Sequence, residues 1–179
     1  IVIGIDALSD FIVYGFQSLF ALSNEQSKPF DKYRKGISIG EAAGCLILSK
    51  KRLNKNFTVN YLSGSSSNDA NHISGPSRTG EGLFRTVSKT IERAQIKKET
   101  IDFISAHGTG TNYNDEMESI AFNRLKLNHT PLNSLKGYFG HTLGAAGVIE
   151  VISSIKMMEH KTILKSLGFE KQGTSMKLN

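Results

Sequence analysis

Two spacings of apolar residues alternate along this chain. Short runs rich in Ile, Val, Leu and Phe at 1–5, 37–49, 57–63, 101–106 and 132–135 predict strands. The unbroken run at the start suits a strand covered on both faces. Longer stretches place apolar or small residues three and four apart and predict helices. Phe11, Tyr14, Gly15, Ser18, Leu19 and Leu22 mark one over 10–22, and others follow at 81–95, 115–125 and 144–158. Between them lie a turn at 27–31, a polar loop at 65–72 and a Lys- and Asn-rich stretch at 50–56. This last stretch is the best junction between a segment 1–50 and a segment 57–179. Strands alternating with helices favour a layered α/β fold.

Two of the strand ends carry histidine. Ile101, Phe103 and Ile104 run into His107, which is followed by Gly108, Thr109, Gly110 and Thr111. Lys136 precedes Gly140 and His141, and Thr142-Leu143-Gly144-Ala145-Ala146-Gly147 then opens the last helix. A histidine at a strand end, walled by glycine and threonine, has space for a substrate and hydroxyls to orient it. Two neutral imidazoles donating N–H bonds would stabilise a developing oxyanion without a metal. Lys136 reads either as a solvated loop charge or as an ammonium beside the pair. In the second case it would keep the rings neutral by like-charge repulsion and need a carboxylate to balance its burial. Thr109 and Thr111 read either as turn residues satisfying backbone or as ligand-facing hydroxyls, and Asp115 as a carboxylate favouring a helix start. His129 and His160 lie at polar ends and read as solvated.

Composition narrows the classes. With 179 residues, 39% hydrophobic and 21% charged, the chain has apolar material for a sizeable core, and no run reaches the length of a membrane span. One cysteine supplies neither a disulfide framework nor a thiolate metal site, and it fits a reducing cytoplasm. That residue, Cys45, lies in an apolar strand pattern and reads as a small buried hydrophobe. The net charge of +6 gathers in part at Lys50-Lys51-Arg52 and Lys97-Lys98. It reads as a solvated surface or as an attraction for an acidic partner. Nucleic acid is disfavoured, because the basic residues are not interleaved with aromatics. No His/Cys/Asp/Glu cluster has zinc spacing, and Gly140 to Gly147 is not a dinucleotide fingerprint.

Three ordered segments resemble one family. His107-Gly108-Thr109-Gly110-Thr111, with Asn114-Asp115 and Glu118 behind it, resembles the His-Gly-Thr-Ser/Gly-Thr signature of the β-ketoacyl synthases. Lys136, Gly140-His141 and Leu143-Gly144-Ala145-Ala146-Gly147 resemble that family's second signature, and Gly36-Ile37-Ser38-Ile39-Gly40-Glu41-Ala42-Ala43-Gly44 a third upstream. The resemblance implies a thiolase-like α/β fold of mixed sheets between helices, here incomplete at both ends. Residues 1–50 would end the N-terminal half and 57–179 would form most of the C-terminal half.

For function, the resemblance implies a 3-oxoacyl-[acyl-carrier-protein] synthase, an acyltransferase joining acyl and malonyl thioesters by decarboxylative condensation. His107 and His141 would position the malonyl group and stabilise its enolate, with Lys136 beside them and Glu118 as the balancing carboxylate. Thr109 and Thr111 would bind the pantetheine arm, and His72 would be a secondary site residue. The nucleophilic cysteine, found in the family in a Thr-Ala-Cys-Ser-like turn, is absent from this chain, so the piece alone is expected to be inactive and unstable. No cofactor or metal is implied, since phosphopantetheine arrives on the acyl carrier protein. The implied partners are that carrier and a second subunit, identical or related, with neither nucleic acid nor membrane. The alternative is a non-catalytic chain-length-factor-like subunit. Such relatives often lose the histidines kept here. Gly110, Asn112-Tyr113 and Tyr138-Phe139 depart from the family's usual residues and bear on acyl-chain specificity.

Overall fold

The computed structural model describes residues 1–52, 56–72 and 75–179. Its order is β1 (Val2–Asp6), α1 (Asp10–Ser18), β2 (Ala42–Leu46), α2 (Glu81–Ala94), β3 (Ile104–Ser105), α3 (Asn112–Arg124), β4 (Leu132–Asn133), the one-turn α4 (Lys136–Phe139) and α5 (Ala146–Glu159). Among the described residues there are two small sheets. β1 and β2 pair antiparallel with Gly4 opposite Gly44, and β3 and β4 pair parallel with Ser105 opposite Asn133.

Glycine brings the first sheet close to α5. A side chain at Gly44 would fall 2.8 Å from Val148, and one at Gly4 would fall 2.9 Å from both Val148 and the Gly144 carbonyl. The strand backbone thus lies directly on the helix, and the Asp6 carboxylate accepts a 2.9 Å bond from the Gly144 N–H just ahead of it. The opposite face of the sheet is bare. Only Gly4 of β1 is buried, and Ile3 and Ile5 are exposed, so the expectation of a strand covered on both faces is not met. Cys45 does sit in a strand, but on this open face. It is exposed, not the buried hydrophobe its neighbours suggested.

The main core lies under the second sheet, where Phe30, Ala106, Phe122, Leu125 and Leu127 pack with Ile104, Leu132 and the inner face of α2. Phe30 reaches it from the 27–36 loop, whose backbone there takes a positive φ of 63°. α3 is unusual in its inward stripe, which holds Asp115, Glu118 and Ser119 as well as Ala121 and Phe122.

Several elements are shorter than the apolar pattern predicts. The first helix stops at Ser18, and the 101–106 run keeps only two paired residues. Of 37–49, only Ala42–Leu46 is regular strand, while Ile37 and Ile39 make single bridges to Leu22 and His141. The described part of 57–63 forms no regular strand. The junction expected at 50–56 includes residues 53–55, which lie outside the described residues.

Candidate active site

β3 and β4 run side by side and end together. Their last ladder bond, 2.8 Å from the Ala106 N–H to the Asn133 carbonyl, leaves His107 and Lys136 to emerge from neighbouring strands on the same edge. There the hydroxyl of fully buried Ser134 takes over the pairing with a 2.7 Å bond to the Gly108 carbonyl. Gly108, at φ 43°, permits this approach, since a Cβ would meet Ser134 at 2.5 Å. His141 arrives from the far end of α4, past Gly140. The 38–40 segment fixes its backbone: the His141 N–H donates to Ser38 at 2.7 Å, and the Gly40 N–H donates to His141 at 3.1 Å.

The two imidazoles meet edge to face, with centroids 4.9 Å apart and planes at 82°. Lys136 is 2% exposed, and its ammonium spends its three protons on three acceptors. These are the His107 carbonyl at 2.7 Å, His107 Nδ1 at 3.2 Å and a Glu150 carboxylate oxygen. Both rings are held in the neutral form. Desolvation of its inner edge, the Lys136 charge and His141 bring His107 down to about 3, although its outer edge opens to solvent. Desolvation and Lys136 bring half-buried His141 down to about 4. The tautomers follow. The Leu143 N–H donates to His141 Nδ1 at 3.1 Å and the ammonium faces His107 Nδ1, so each neutral ring carries its proton on Nε2. The site therefore presents two N–H donors on adjoining rings, suited to holding a developing negative charge.

The carboxylate that balances Lys136 is Glu150, not Glu118 as the resemblance implied. Glu118 is 2% exposed and accepts instead from the Gly108 N–H at 3.0 Å and from Asn114 at 3.0 Å. Burial, reinforced by neighbouring Asp115, pushes Glu118 up to about 8. A group so costly to ionise serves the peptide after His107 better than it would serve as a counter-ion. The signal for Glu150 was present in the sequence: it is the sole acid in the first three turns of an apolar helix, nine residues beyond His141. Asp115 does more than favour a helix start. It is fully buried, accepts from the Phe30 N–H at 2.7 Å and the Gly110 N–H at 3.2 Å, and lies 3.6 Å from Arg34. Burial raises its pKa against those contacts.

Thr109 and Thr111 stand together, hydroxyl to hydroxyl at 2.9 Å. Thr111 also caps α3 by accepting from the Asn114 N–H, so the turn reading holds at least in part. His72 is exposed in the loop ahead of α2, whereas the two paired imidazoles are contacted by Lys136, Leu143 and each other. His129 and His160 are exposed, as their polar surroundings suggested. Among the described residues, no helix is long and apolar enough to cross a membrane.

With this geometry in hand, the comparisons agree. Residues 59–170 match the family model of the β-ketoacyl synthase C-terminal domain. The chain is 30% identical to a putative mitochondrial 3-oxoacyl-[acyl-carrier-protein] synthase of Schizosaccharomyces pombe, the match covering 91% of this chain and 42% of that protein. It is 37% identical to the polyketide biosynthesis malonyl-ACP decarboxylase PksF of Bacillus subtilis, over 80% of this chain and 35% of the relative. A chain in the solved complex of the ketosynthase ApeO with its chain length factor ApeC from Xenorhabdus doucetiae superposes with a TM-score of 0.82 at 34% identity, over 97% of this chain and 46% of that one. The chain thus spans less than half the length of these relatives.

Proposed function

The chain belongs to the β-ketoacyl synthase family, with a thiolase-like α/β fold, and on that premise we propose that the protein it represents is a decarboxylating 3-oxoacyl-[acyl-carrier-protein] synthase. One observation carries the proposal: two neutral imidazoles 4.9 Å apart, each with Nδ1 occupied and, among the described residues, no acceptor on Nε2–H. A malonyl thioester seated against them loses CO₂ by cleavage of the bond between its α-carbon and its carboxylate. The bonding pair passes into the thioester as an enolate, whose oxygen accepts from the two Nε2–H groups. The enolate carbon then attacks an acyl thioester on a cysteine outside this chain. A carbon–carbon bond forms, and the cysteine thiolate leaves.

The remaining residues support that step. Burial and the charge of Lys136, anchored by Glu150, keep both rings neutral, and Glu118 holds the Gly108 amide behind His107. The Thr109–Thr111 hydroxyl pair meets the pantetheine arm. The malonyl group arrives on an acyl carrier protein, whose acidic surface suits a chain of net charge +6. A second subunit, identical or related, completes the assembly. Chemistry of this kind calls on no metal or redox cofactor, and we place it in the cytoplasm.

A second reading is favoured by one relative, the malonyl-ACP decarboxylase of Bacillus subtilis. The same imidazole pair would serve an enzyme that stops at CO₂ release. The two are separated by supplying the full-length protein with acyl- and malonyl-carrier protein and following both CO₂ and the 3-oxoacyl product. Stoichiometric CO₂ and product establish the synthase. CO₂ without product establishes the decarboxylase, and neither would leave only a non-catalytic partner subunit.

A further inference from the structure

The Thr109-Gly110-Thr111 turn is held from behind by one loop. Each of its three successive carbonyls accepts a hydrogen bond from a donor between residues 27 and 36, and the Thr111 carbonyl also accepts the first helical bond of α3 from the Asp115 N–H at 3.3 Å. The Ser27 hydroxyl donates to Thr109 at 2.9 Å, the Gly36 N–H to Gly110 at 3.0 Å and the Arg34 Nε–H to Thr111 at 3.3 Å. The remaining N–H in the middle of the turn, that of Gly110, goes to Asp115, which also takes the Phe30 N–H and faces Arg34. Contact is close at position 110, and a side chain there would have to displace the Ser27 hydroxyl. A Cβ there would lie 2.4 Å from the Ser27 hydroxyl and 2.9 Å from the Gly36 carbonyl, at a φ of 77°.

This grip determines what the turn offers on its other side. With the carbonyls spent on the loop, the polar groups left over are the two threonine hydroxyls. They share one mutual bond, while Thr109 Oγ1 accepts from the Thr111 N–H and Thr111 Oγ1 from the Asn114 N–H. Two hydroxyl hydrogens enter that bond and one is consumed. Among the described residues the pair therefore retains one O–H to give. Arg34 makes the grip stiff, because its guanidinium also donates to the Asp31 carbonyl at 2.9 Å and the Asn112 carbonyl at 3.5 Å, with a side chain only 6% exposed. Its planar fork reaches these points at once, which a lysine ammonium cannot do.

We propose that the 27–36 loop is a positioning element for the substrate arm: Ser27 and Arg34 fix the Thr109–Thr111 hydroxyl pair so that its one free O–H faces an amide or thioester carbonyl of a pantetheine-like arm. The proposal rests on the reading of those threonines as arm contacts. The Ser27 N–H also donates to Ser38 Oγ at 2.9 Å, but a substitution of the Ser27 or Arg34 side chain leaves that backbone donor in place. The imidazole pair is held by Lys136 and the 38–40 backbone, so loosening the cradle weakens binding and spares the chemical step.

The test uses full-length Ser27→Ala and Arg34→Lys. Steady-state CO₂ release from malonyl-carrier protein should show KM raised fivefold or more, kcat within twofold of wild type, and an unmoved acid limb of the pH–rate profile. Unchanged KM in Ser27→Ala, or a fall in kcat at constant KM, would overturn the cradle. Should Arg34→Lys fail to fold, Ser27→Ala decides, since it removes a single buried hydroxyl. Calorimetric binding of pantetheine itself gives a readout that needs no turnover: Kd should weaken at least fivefold in the variants. An unaffected Kd, or no binding by wild type, also overturns the proposal. Absent turnover with the expected loss of affinity would remove the catalytic reading and leave the cradle standing.

Discussion

At the scale of single residues, the account turns on Lys136. A buried ammonium between two histidines is destabilising unless its protons are used, and here the His107 carbonyl, His107 Nδ1 and Glu150 use them. Desolvation first, and then this charge, keep both rings from protonating, so the donors survive well below the ordinary histidine range. For CO₂ release by the full-length protein, the acid limb should lie near pH 4, set by His141 at about 4 and His107 at about 3. Lys136→Met removes the repulsion and should move that limb up, toward the unperturbed histidine value of about 6.5. An unmoved limb would show that the ammonium does not set the protonation of the pair. Stability carries the same sign. Between about pH 6.5 and pH 4 the unfolded chain binds protons at these positions that the folded chain refuses, so their contribution is full above that window and lost as pH falls through it.

At the scale of elements, glycine decides how strands and helix meet. Gly4 lies against backbone, with the Gly144 carbonyl 2.9 Å from where a Cβ would stand, while Gly147 on α5 has nothing within 4 Å. Gly4→Ala should therefore destabilise by about 1–3 kcal/mol, the usual cost of overpacking. Gly147→Ala should be neutral or stabilise by up to about 1 kcal/mol, because the unfolded chain loses freedom. Urea unfolding of both variants checks the contrast, and equal effects would contradict the contact between β1 and the start of α5. The same elements show what the sequence made legible. Helical spacing placed α2 within a residue because its apolar stripe faces a core. The 57–63 run has strand-like alternation but forms no ladder in its described part, because alternation reports a favourable surface and not a partner strand. Both histidines were readable from the small residues around them. Glu150 was not singled out: an acid inside an apolar helix was there to be read, but its pairing with Lys136 is made only by the fold.

At the scale of the whole molecule, burial is lopsided. The core around Phe122 is closed, whereas α1 has no buried residue, and Ile3, Phe11 and Phe20 are 70, 87 and 95% exposed. The relatives are more than twice as long, and an apolar surface of this kind is what packed neighbours cover. Buried Cys45 failed as an expectation for the same reason: an apolar strand signals a covered face without saying what covers it. The imidazole pair also opens outward, which is why the decisive test belongs to the full-length protein. That test is CO₂ release from malonyl-carrier protein by wild type, His107→Ala and His141→Ala at pH 7, with folding verified by circular dichroism. If two Nε2–H donors hold the enolate, each variant should lose about 10²–10³ in kcat, the usual cost of one such donor. Decarboxylation within a fewfold of wild type in both folded variants would contradict the account.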